Sequence, residues 1–458
     1  MADGFTVLIM AAGRGTRMRS EVPKVLHHVC GKPMVEWVID AARAAGADRS
    51  VVVTRPGDGV AEGLPEGIEV AEQAEGEGTG AAVLAARDKL DAGRAVVILS
   101  GDHPLVKAEE VAGLVETHQQ EGAAATMLTT DQLDPAGYGR IVRGEDGAVE
   151  RIVETKYTEG VPSEELAIRE INLGTYAFQP AELLEALDQV KLERGERYLT
   201  GVIPVLHEWG ARIAAYLTHD VGGAFGVNDR AQLMEAERVA QERLLEEHAR
   251  AGVTFLSPQT TRVEAGVEIG EDTVVGPGCS LLGATVVGKG AELGPHTTAI
   301  DSTIGDRVTA PHSYLLEAEV REDAQIGPFA YLRPGAVIGE GAKVGTFVEI
   351  KNSNIERGAK VPHLSYIGDA DVGEDANLGA STITANYDGR NKHRTKVGKR
   401  AKTSVHTTLV APVTVGDGAY TGANSAITED IPDDALGIAR PRQENVEDYG
   451  KRVEKKPE

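Results

Sequence analysis

Up to about residue 227, apolar runs of four or five residues alternate with stretches in which apolar positions recur every three or four residues. The runs 6–10, 51–54, 95–99 and 124–128 predict buried strands, while 33–45 and 80–90 predict covering helices. That alternation implies an open, mostly parallel α/β sheet, in which ligands sit beyond the carboxyl ends of the strands. Two loops are so placed, 11–19 after the first strand and 100–104 after the third. Residues 229–251 then carry neither proline nor glycine, and Leu233, Ala236, Ala240 and Leu244 fall on one helical stripe. A linker helix fits this stretch. The alternative is a coiled-coil dimerisation arm, for which the stripe is short and poor in large side chains.

After Gly252 the helical pattern gives way to aliphatic–glycine pairs such as Ile269-Gly270, Val287-Gly288, Ile304-Gly305, Ile338-Gly339, Val372-Gly373 and Val415-Gly416. Ile326, Leu332, Ile338, Val344 and Ile350 lie six residues apart, and so do Val397, Thr403, Leu409, Val415, Thr421 and Ile427. Aliphatics every sixth residue with glycine at the corners predict a parallel β-helix, about nine coils of three hexads each over 263–430. A β-sandwich would instead alternate with period two between regular turns. One polar excursion, 386–394, interrupts the repeat and predicts a projecting loop. Residues 430–458 leave the repeat and end in a Lys/Glu-rich tail that reads as a solvated terminus.

Composition narrows the function classes. The chain has 458 residues, and about 150 per domain predicts two or three domains. Its net charge of −24 argues against nucleic acid or an anionic membrane surface as a partner. No apolar run approaches the roughly 20 residues of a membrane span, and the N-terminus shows no basic region or cleavage site. Only Cys30 and Cys279 are present, so neither a disulfide framework nor a zinc site is expected. Together these features lead us to expect a cytoplasmic protein.

The loop Ala11-Ala12-Gly13-Arg14-Gly15-Thr16-Arg17-Met18 has small residues that let backbone N–H groups approach an anion, and Arg17 adds a charge. Pro23-Lys24 supplies a second cation. The pattern reads as a triphosphate cradle, although it has the glycine spacing of neither a Walker A loop nor a dinucleotide fingerprint. In Gly101-Asp102-His103-Pro104-Leu105 the carboxylate suits a hard cation such as Mg²⁺ on a nucleotide; a helix N-cap is its structural alternative. His103 reads as a packed loop histidine.

The segments AAGRGTRM, PKVLH, GTG, GDHPL, GYGRI, VETK and GVNDR occur in the order found in sugar-nucleotide pyrophosphorylases. With HLSYIGDA and NYDGRNKHRT in the repeat, residues 5–445 resemble the family of bifunctional bacterial enzymes of UDP-N-acetylglucosamine synthesis. Those enzymes join N-acetylglucosamine-1-phosphate uridyltransferase to glucosamine-1-phosphate acetyltransferase. The resemblance implies a Rossmann-like nucleotidyltransferase domain over 1–228, a linker helix over 229–252, and a left-handed parallel β-helix with a C-terminal tail over 253–458. It implies that Ala11, Ala12 and Gly13 meet the nucleotide by backbone, that Arg17 and Lys24 face its phosphates, and that Gln73, Gly78 and Thr79 read uracil. Gly139, Glu154 and Asn172 would hold the amino sugar, and Asp102 with Asn228 would hold Mg²⁺ of the UTP complex.

For the second activity the resemblance makes His363 the general base. Arg333, Lys351, Tyr366, Asn377 and Lys392 would bind glucosamine-1-phosphate, and Ala380, Asn386, Tyr387, Ala423 and Arg440 would bind acetyl-CoA. On the residues alone a lone histidine in an aliphatic coil is usually structural; the polar loop arriving one coil later shifts the reading toward a site. A homotrimer with the acetyl site between subunits is implied as well. The chain departs from the family pattern at Ser100, Leu173, Arg197, Gly201 and Ser404-Val405-His406, where the serine contact to acetyl-CoA is replaced by Val405. Two rival readings remain, a monofunctional pyrophosphorylase whose β-helix is a scaffold and a non-catalytic assembly subunit. His363 with the 386–394 loop argues against the first, and Arg17, Lys24, Asp102 and Asn228 against the second.

Overall fold

A computed structural model of the chain describes residues 4–145, 147–153, 161–193, 195–220 and 226–453. The chain divides into two compact units, Met1–Glu242 and Arg243–Glu458.

The first unit is built on nine strands: β1 (Phe5–Met10), β2 (Ala47–Thr54), β3 (Glu69–Glu72), β4 (Val96–Ser100), β5 (Ala125–Thr130), β6 (Arg140–Arg143), β7 (Val149–Val153), β8 (Ile171–Phe178) and β9 (Ile213–Leu217). The main path runs β9-β5-β8-β4-β1-β2-β3, with β6 pairing β8 and β7. All four expected strands form. The β1–β2, β1–β4, β2–β3 and β5–β9 pairs are parallel, but β8 is antiparallel to both β4 and β5. The chain reaches β8 through the β6–β7 hairpin rather than a crossover helix, which frees it to run the other way.

Apolar cores lie on both faces of this sheet. Helix α1 (Met34–Ala44) buries Val35, Val38, Ile39 and Ala42 against one of them, as its periodicity requires. The expected 80–90 helix is shorter. Helix α2 (Thr79–Ala85) ends at Ala85, and a 3₁₀ turn over Arg87–Lys89 continues where no residue is buried. Helix α3 (Ala108–Glu121) precedes β5, and α4 (Pro180–Gln189) and α5 (Val202–Glu208) lie between β8 and β9. The 229–251 stretch is the single helix α6 (Arg230–Arg250), with Ala236 and Ala240 buried; the division between the units falls within it.

In the second unit short strands stack into three parallel sheets of seven, ten and nine strands. Each strand pairs with its counterpart one coil on, as in Leu332↔Ile350 and Ile350↔Ile367. The first six-residue register points inward, Ile326, Leu332, Ile338, Val344 and Ile350 being at most 1% exposed. The second register, 397–427, is buried too, including Thr403 and Thr421. The aliphatic–glycine pairs have a steric cause. A Cβ on Gly339 would lie 2.7 Å from the backbone of Arg357, and one on Gly373 2.8 Å from that of Gly398. At these corners successive coils come too close for a side chain. Both cysteines are buried outside any disulfide, and no described helix is long and apolar enough to cross a membrane.

Candidate functional site

Candidate residues assemble in each unit, at one point in the first and on two separate sheet faces in the second. In the first unit the loop after β1 turns through Gly15, whose φ of 59° would strain any other residue and whose Cβ position lies 2.8 Å from the Cβ of Lys24. A 3₁₀ turn over Thr16–Met18 then aims Arg17 back at the site. Arg17 Nη2 donates to Asn228 Oδ1 at 2.9 Å, Lys24 Nζ donates to the same oxygen at 3.3 Å, and Lys24 is ion-paired with Asp102. Sequence positions 17, 24, 102 and 228 thus meet at one point, with Asp102 and Lys24 largely shielded from solvent. His103 lies 3.7 Å from Asp102, and burial pushes its pKa down, which fits a packed loop histidine.

A cavity of about 380 Å³ opens beside this point, lined by Ala11, Ala12, Gly13, Lys24, Gln73, Gly78, Thr79 and Asp102 among others. Some of the expected contacts are already committed. The Ala11 N–H donates to the Val53 carbonyl at 2.8 Å and the Ala12 carbonyl accepts from Arg55 Nε at 2.5 Å, so the donors left to a nucleotide begin at Ala12 N. Gln73 donates through Nε2 to the Gly76 carbonyl at 3.2 Å, which turns its amide oxygen the other way. Gly78 has φ 97°, and a Cβ there would lie 2.4 Å from the Arg197 carbonyl. Thr79 Oγ1 accepts from the Leu199 N–H at 2.9 Å.

The sequence reading missed Arg55 and Glu77. Glu77 accepts from Arg55 at 2.9 Å and from Arg14 at 2.8 Å, and Arg55 holds its carboxyl below the usual range. Arg55 directly follows β2, a strand-end position that could have drawn attention.

A second cavity, about 550 Å³, is lined by Arg17, Gly139, Asn172, Leu173, Tyr198 and Asn228. Asn172 Nδ2 donates to the Tyr176 hydroxyl at 2.6 Å, and its Oδ1 accepts from the Gly174 N–H at 3.1 Å. Gly139 admits no side chain, because its Cβ would lie 2.7 Å from Ile152. Glu154 lies outside the described residues. Of the departures, Leu173 is buried, Gly201 packs so that a Cβ would meet Val190 at 2.7 Å, and Ser100 ends β4 in both cavity walls. No group of three or more His, Cys, Asp or Glu among the described residues could cage a metal. The Asp102 carboxylate and Asn228 amide oxygen, both already drawing cationic groups, fit an Mg²⁺ that brings phosphate and water as its other ligands.

In the second unit His363 is exposed at the end of the strand Lys360–His363, where the chain turns a corner through Leu364 at φ 52°. Backbone bonds carry that corner upward: Ser381 N to the His363 carbonyl at 3.1 Å, His406 N to Ala380 at 2.8 Å, and Asn424 N to Val405 at 2.9 Å. His363, Ala380, Val405 and Ala423 therefore form one column; Arg440 is exposed and follows Ala439, whose N–H donates to Ser425 Oγ at 3.1 Å. His406 occupies an exposed left-handed corner of the same column.

A different group lies across the next sheet face. Lys351 ends one strand of that face, Tyr366 begins the next, and Arg333 Nη1 donates to Glu349 at 2.8 Å. Lys392 has its pKa lowered by Lys351, so two ammonium groups share this spot. The 386–394 loop is a tight hairpin. The Asp388 carboxylate accepts from the Arg390 and Asn391 N–H groups at 2.8 and 2.7 Å and lies 2.7 Å from His393, and the Tyr387 hydroxyl donates to the Gly389 carbonyl. Arg394 clamps its return through Asp371 and the Asn352 carbonyl. Asn377 is not brought to the Lys351 group: it pairs with Lys360 and Lys402 on the sheet that carries His363.

A family model described as a MobA-like NTP transferase domain matches residues 7–206, and a bacterial transferase hexapeptide model of six repeats matches 317–352. The bifunctional protein GlmU of Halalkalibacterium halodurans is 47% identical, over 98% of this chain and 99% of its own. Its counterpart in Shouchella clausii is 44% identical over 98% and 99%, and that in Streptomyces avermitilis 44% over 97% and 93%. Sheet, hexapeptide coils and both residue groups fall within these full-length matches, and the chain belongs to the GlmU family of bifunctional proteins.

Proposed function

We propose that the chain makes UDP-N-acetylglucosamine in two steps, acetylating glucosamine-1-phosphate in the β-helix and uridylating the product in the α/β unit. The observation that carries this reading is that one chain holds both the Arg17–Lys24–Asp102–Asn228 cluster and the His363 column, each in its own compact unit. The working division is 1–228, a linker 229–252, and 253–458. The enzyme is read as cytoplasmic.

In the first step the glucosamine amine attacks the thioester carbon of acetyl-CoA, an N–C bond forms, and the C–S bond breaks to release the thiol. The amine must lose a proton, and the exposed His363 imidazole is placed to take it. Arg333, Lys351 and Lys392 meet the sugar phosphate, with Tyr366 beside them. Acetyl-CoA runs along Ala380, Ala423 and Arg440, with Asn386 and Tyr387 at its acyl end. Within one chain these groups, and Asn377, lie on different faces, which supports a homotrimer whose acetyl site is shared between subunits.

In the second step an oxygen of N-acetylglucosamine-1-phosphate attacks the α-phosphorus of UTP and the bond to pyrophosphate breaks. Such transfer needs alignment and charge neutralisation rather than a protein nucleophile. Arg17 and Lys24 neutralise the phosphates, the 12–13 backbone cradles them, and Gln73 offers its amide oxygen to the uracil N–H. Asn172 and Gly139 border the sugar. Mg²⁺, held by Asp102 and Asn228 when bound, supplies charge neutralisation at the phosphates.

The test is incubation with glucosamine-1-phosphate, acetyl-CoA, UTP and Mg²⁺, each omitted in turn. UDP-N-acetylglucosamine should form only with all four. No acetylated product with all four present, although supplied N-acetylglucosamine-1-phosphate is still uridylated, would return the β-helix to a scaffold.

A further inference from the structure

Asp369 is a charged residue that neither step above uses, yet it is 7% exposed. Its Oδ1 accepts from Asn352 Nδ2 at 2.6 Å and its Oδ2 from Asn386 Nδ2 at 2.5 Å. Burial alone would raise its pKa; the two amide hydrogen bonds, with the charges of Lys351 and Lys392, outweigh it and hold the group ionised. An ionised carboxylate only accepts hydrogen bonds, so each amide must turn its nitrogen toward it. For Asn386 this settles an orientation that shape alone leaves open. Its Oδ1 then points away from Asp369, and among the described residues no hydrogen bond reaches that oxygen. The amide stands beside Tyr366: a Cβ on Gly368 would lie 2.4 Å from the Tyr366 hydroxyl and 2.8 Å from Asn386 Nδ2.

We infer that Asp369 is a positioning residue that fixes the Asn386 amide with its oxygen outward, so that the acetyl site presents an acceptor to an N–H or O–H of the amino sugar. The inference rests on the acetyl-transfer reading, which sets Asn386 at the acyl end of acetyl-CoA where the amine arrives, and adds to it that the Asn386 oxygen is the atom that meets the amino sugar there. Asp369→Asn keeps the shape and removes the constraint. Asn352 would then donate to the new amide oxygen, the new Nδ2 would face Asn386, and Asn386 would flip to receive it, turning a donor toward the sugar. In D369N/N386D the order is restored: position 369 donates to the carboxylate at 386, whose second oxygen again faces outward.

The experiment measures acetyl transfer by the full-length wild type, D369N and the double variant, with uridylation of N-acetylglucosamine-1-phosphate and the thermal midpoint as controls. D369N should lose about 10- to 100-fold in kcat/KM for glucosamine-1-phosphate while KM for acetyl-CoA changes less than about twofold. The double variant should recover to within about fivefold of wild type. Wild-type behaviour of folded D369N would overturn the inference, and so would a folded double variant no better than D369N. If D369N melts early, the double variant decides alone, since it retains one amide and one carboxylate in the pair. Failure of the wild type itself to acetylate glucosamine-1-phosphate would instead overturn the acetyl-transfer reading.

Discussion

Replacing His363 tests the acetyl site at the smallest scale. His363→Ala removes the proposed proton acceptor but leaves the corner backbone, because its structural bond is made by the main-chain carbonyl to Ser381. Acetyl-transfer kcat should fall by roughly 10²–10⁴, with KM for acetyl-CoA and uridylation nearly unchanged. A loss below about tenfold would make His363 a structural corner residue. At this scale the sequence was legible where chemistry comes from side chains of distinctive type: Arg17, Lys24, Asp102 and Asn228 do converge. It was less legible where the main chain acts, since nothing in the letters tells that the Ala11 N–H already serves the sheet. Nor does a motif reveal Arg55, which reaches the loop after β1 from the end of another strand. Arg55→Ala should free the Ala12 carbonyl and raise KM for UTP about tenfold or less, as measured by initial rates.

Among elements, the hexapeptide coils were readable because their period is written directly in inward aliphatics, whereas the direction of β8 depends on a hairpin that no period announces. Glycine at the coil corners follows from contact between coils. Gly339→Ala should therefore cost about 1–3 kcal/mol by overpacking and lower the unfolding midpoint of the β-helix, whereas a corner with room would tolerate it.

Helix α3 carries a different liability. His118 is fully buried between the Thr126 hydroxyl and Gln179, and burial lowers its pKa to about 4. In the unfolded chain the group titrates near 6.5, so below that pH the unfolded state gains a proton that the folded state refuses. Stability should fall progressively from about pH 6.5 down to about 4, by up to about 3 kcal/mol, and the loss should level off below that. His118→Gln, able to keep a hydrogen bond to Thr126, should flatten that part of the midpoint-versus-pH curve for the first unit. An unchanged slope would place the acid sensitivity elsewhere.

For the whole molecule the question is whether two chemistries in one chain are two independent catalysts. The Asp102 cluster and the His363 column belong to different compact units, each with its own core. Nothing in either reaction requires a group from the other: one transfers an acyl group to nitrogen, the other a nucleotidyl group to a phosphate oxygen. Their only chemical link is N-acetylglucosamine-1-phosphate, a charged and soluble product that can leave one site and enter another by diffusion. Asp102→Ala should therefore abolish uridylation and spare acetylation, while His363→Ala does the reverse. Neither variant alone should convert glucosamine-1-phosphate to UDP-N-acetylglucosamine at more than a trace. Mixed after separate purification, they should make it, with a lag during which the acetylated intermediate accumulates and a final rate set by the slower surviving activity. The lag should shorten when the D102A partner is in excess, because that variant supplies the intermediate. A mixture as inactive as its components, although each retains its own half-reaction, would show that the intermediate must pass between sites without leaving the protein.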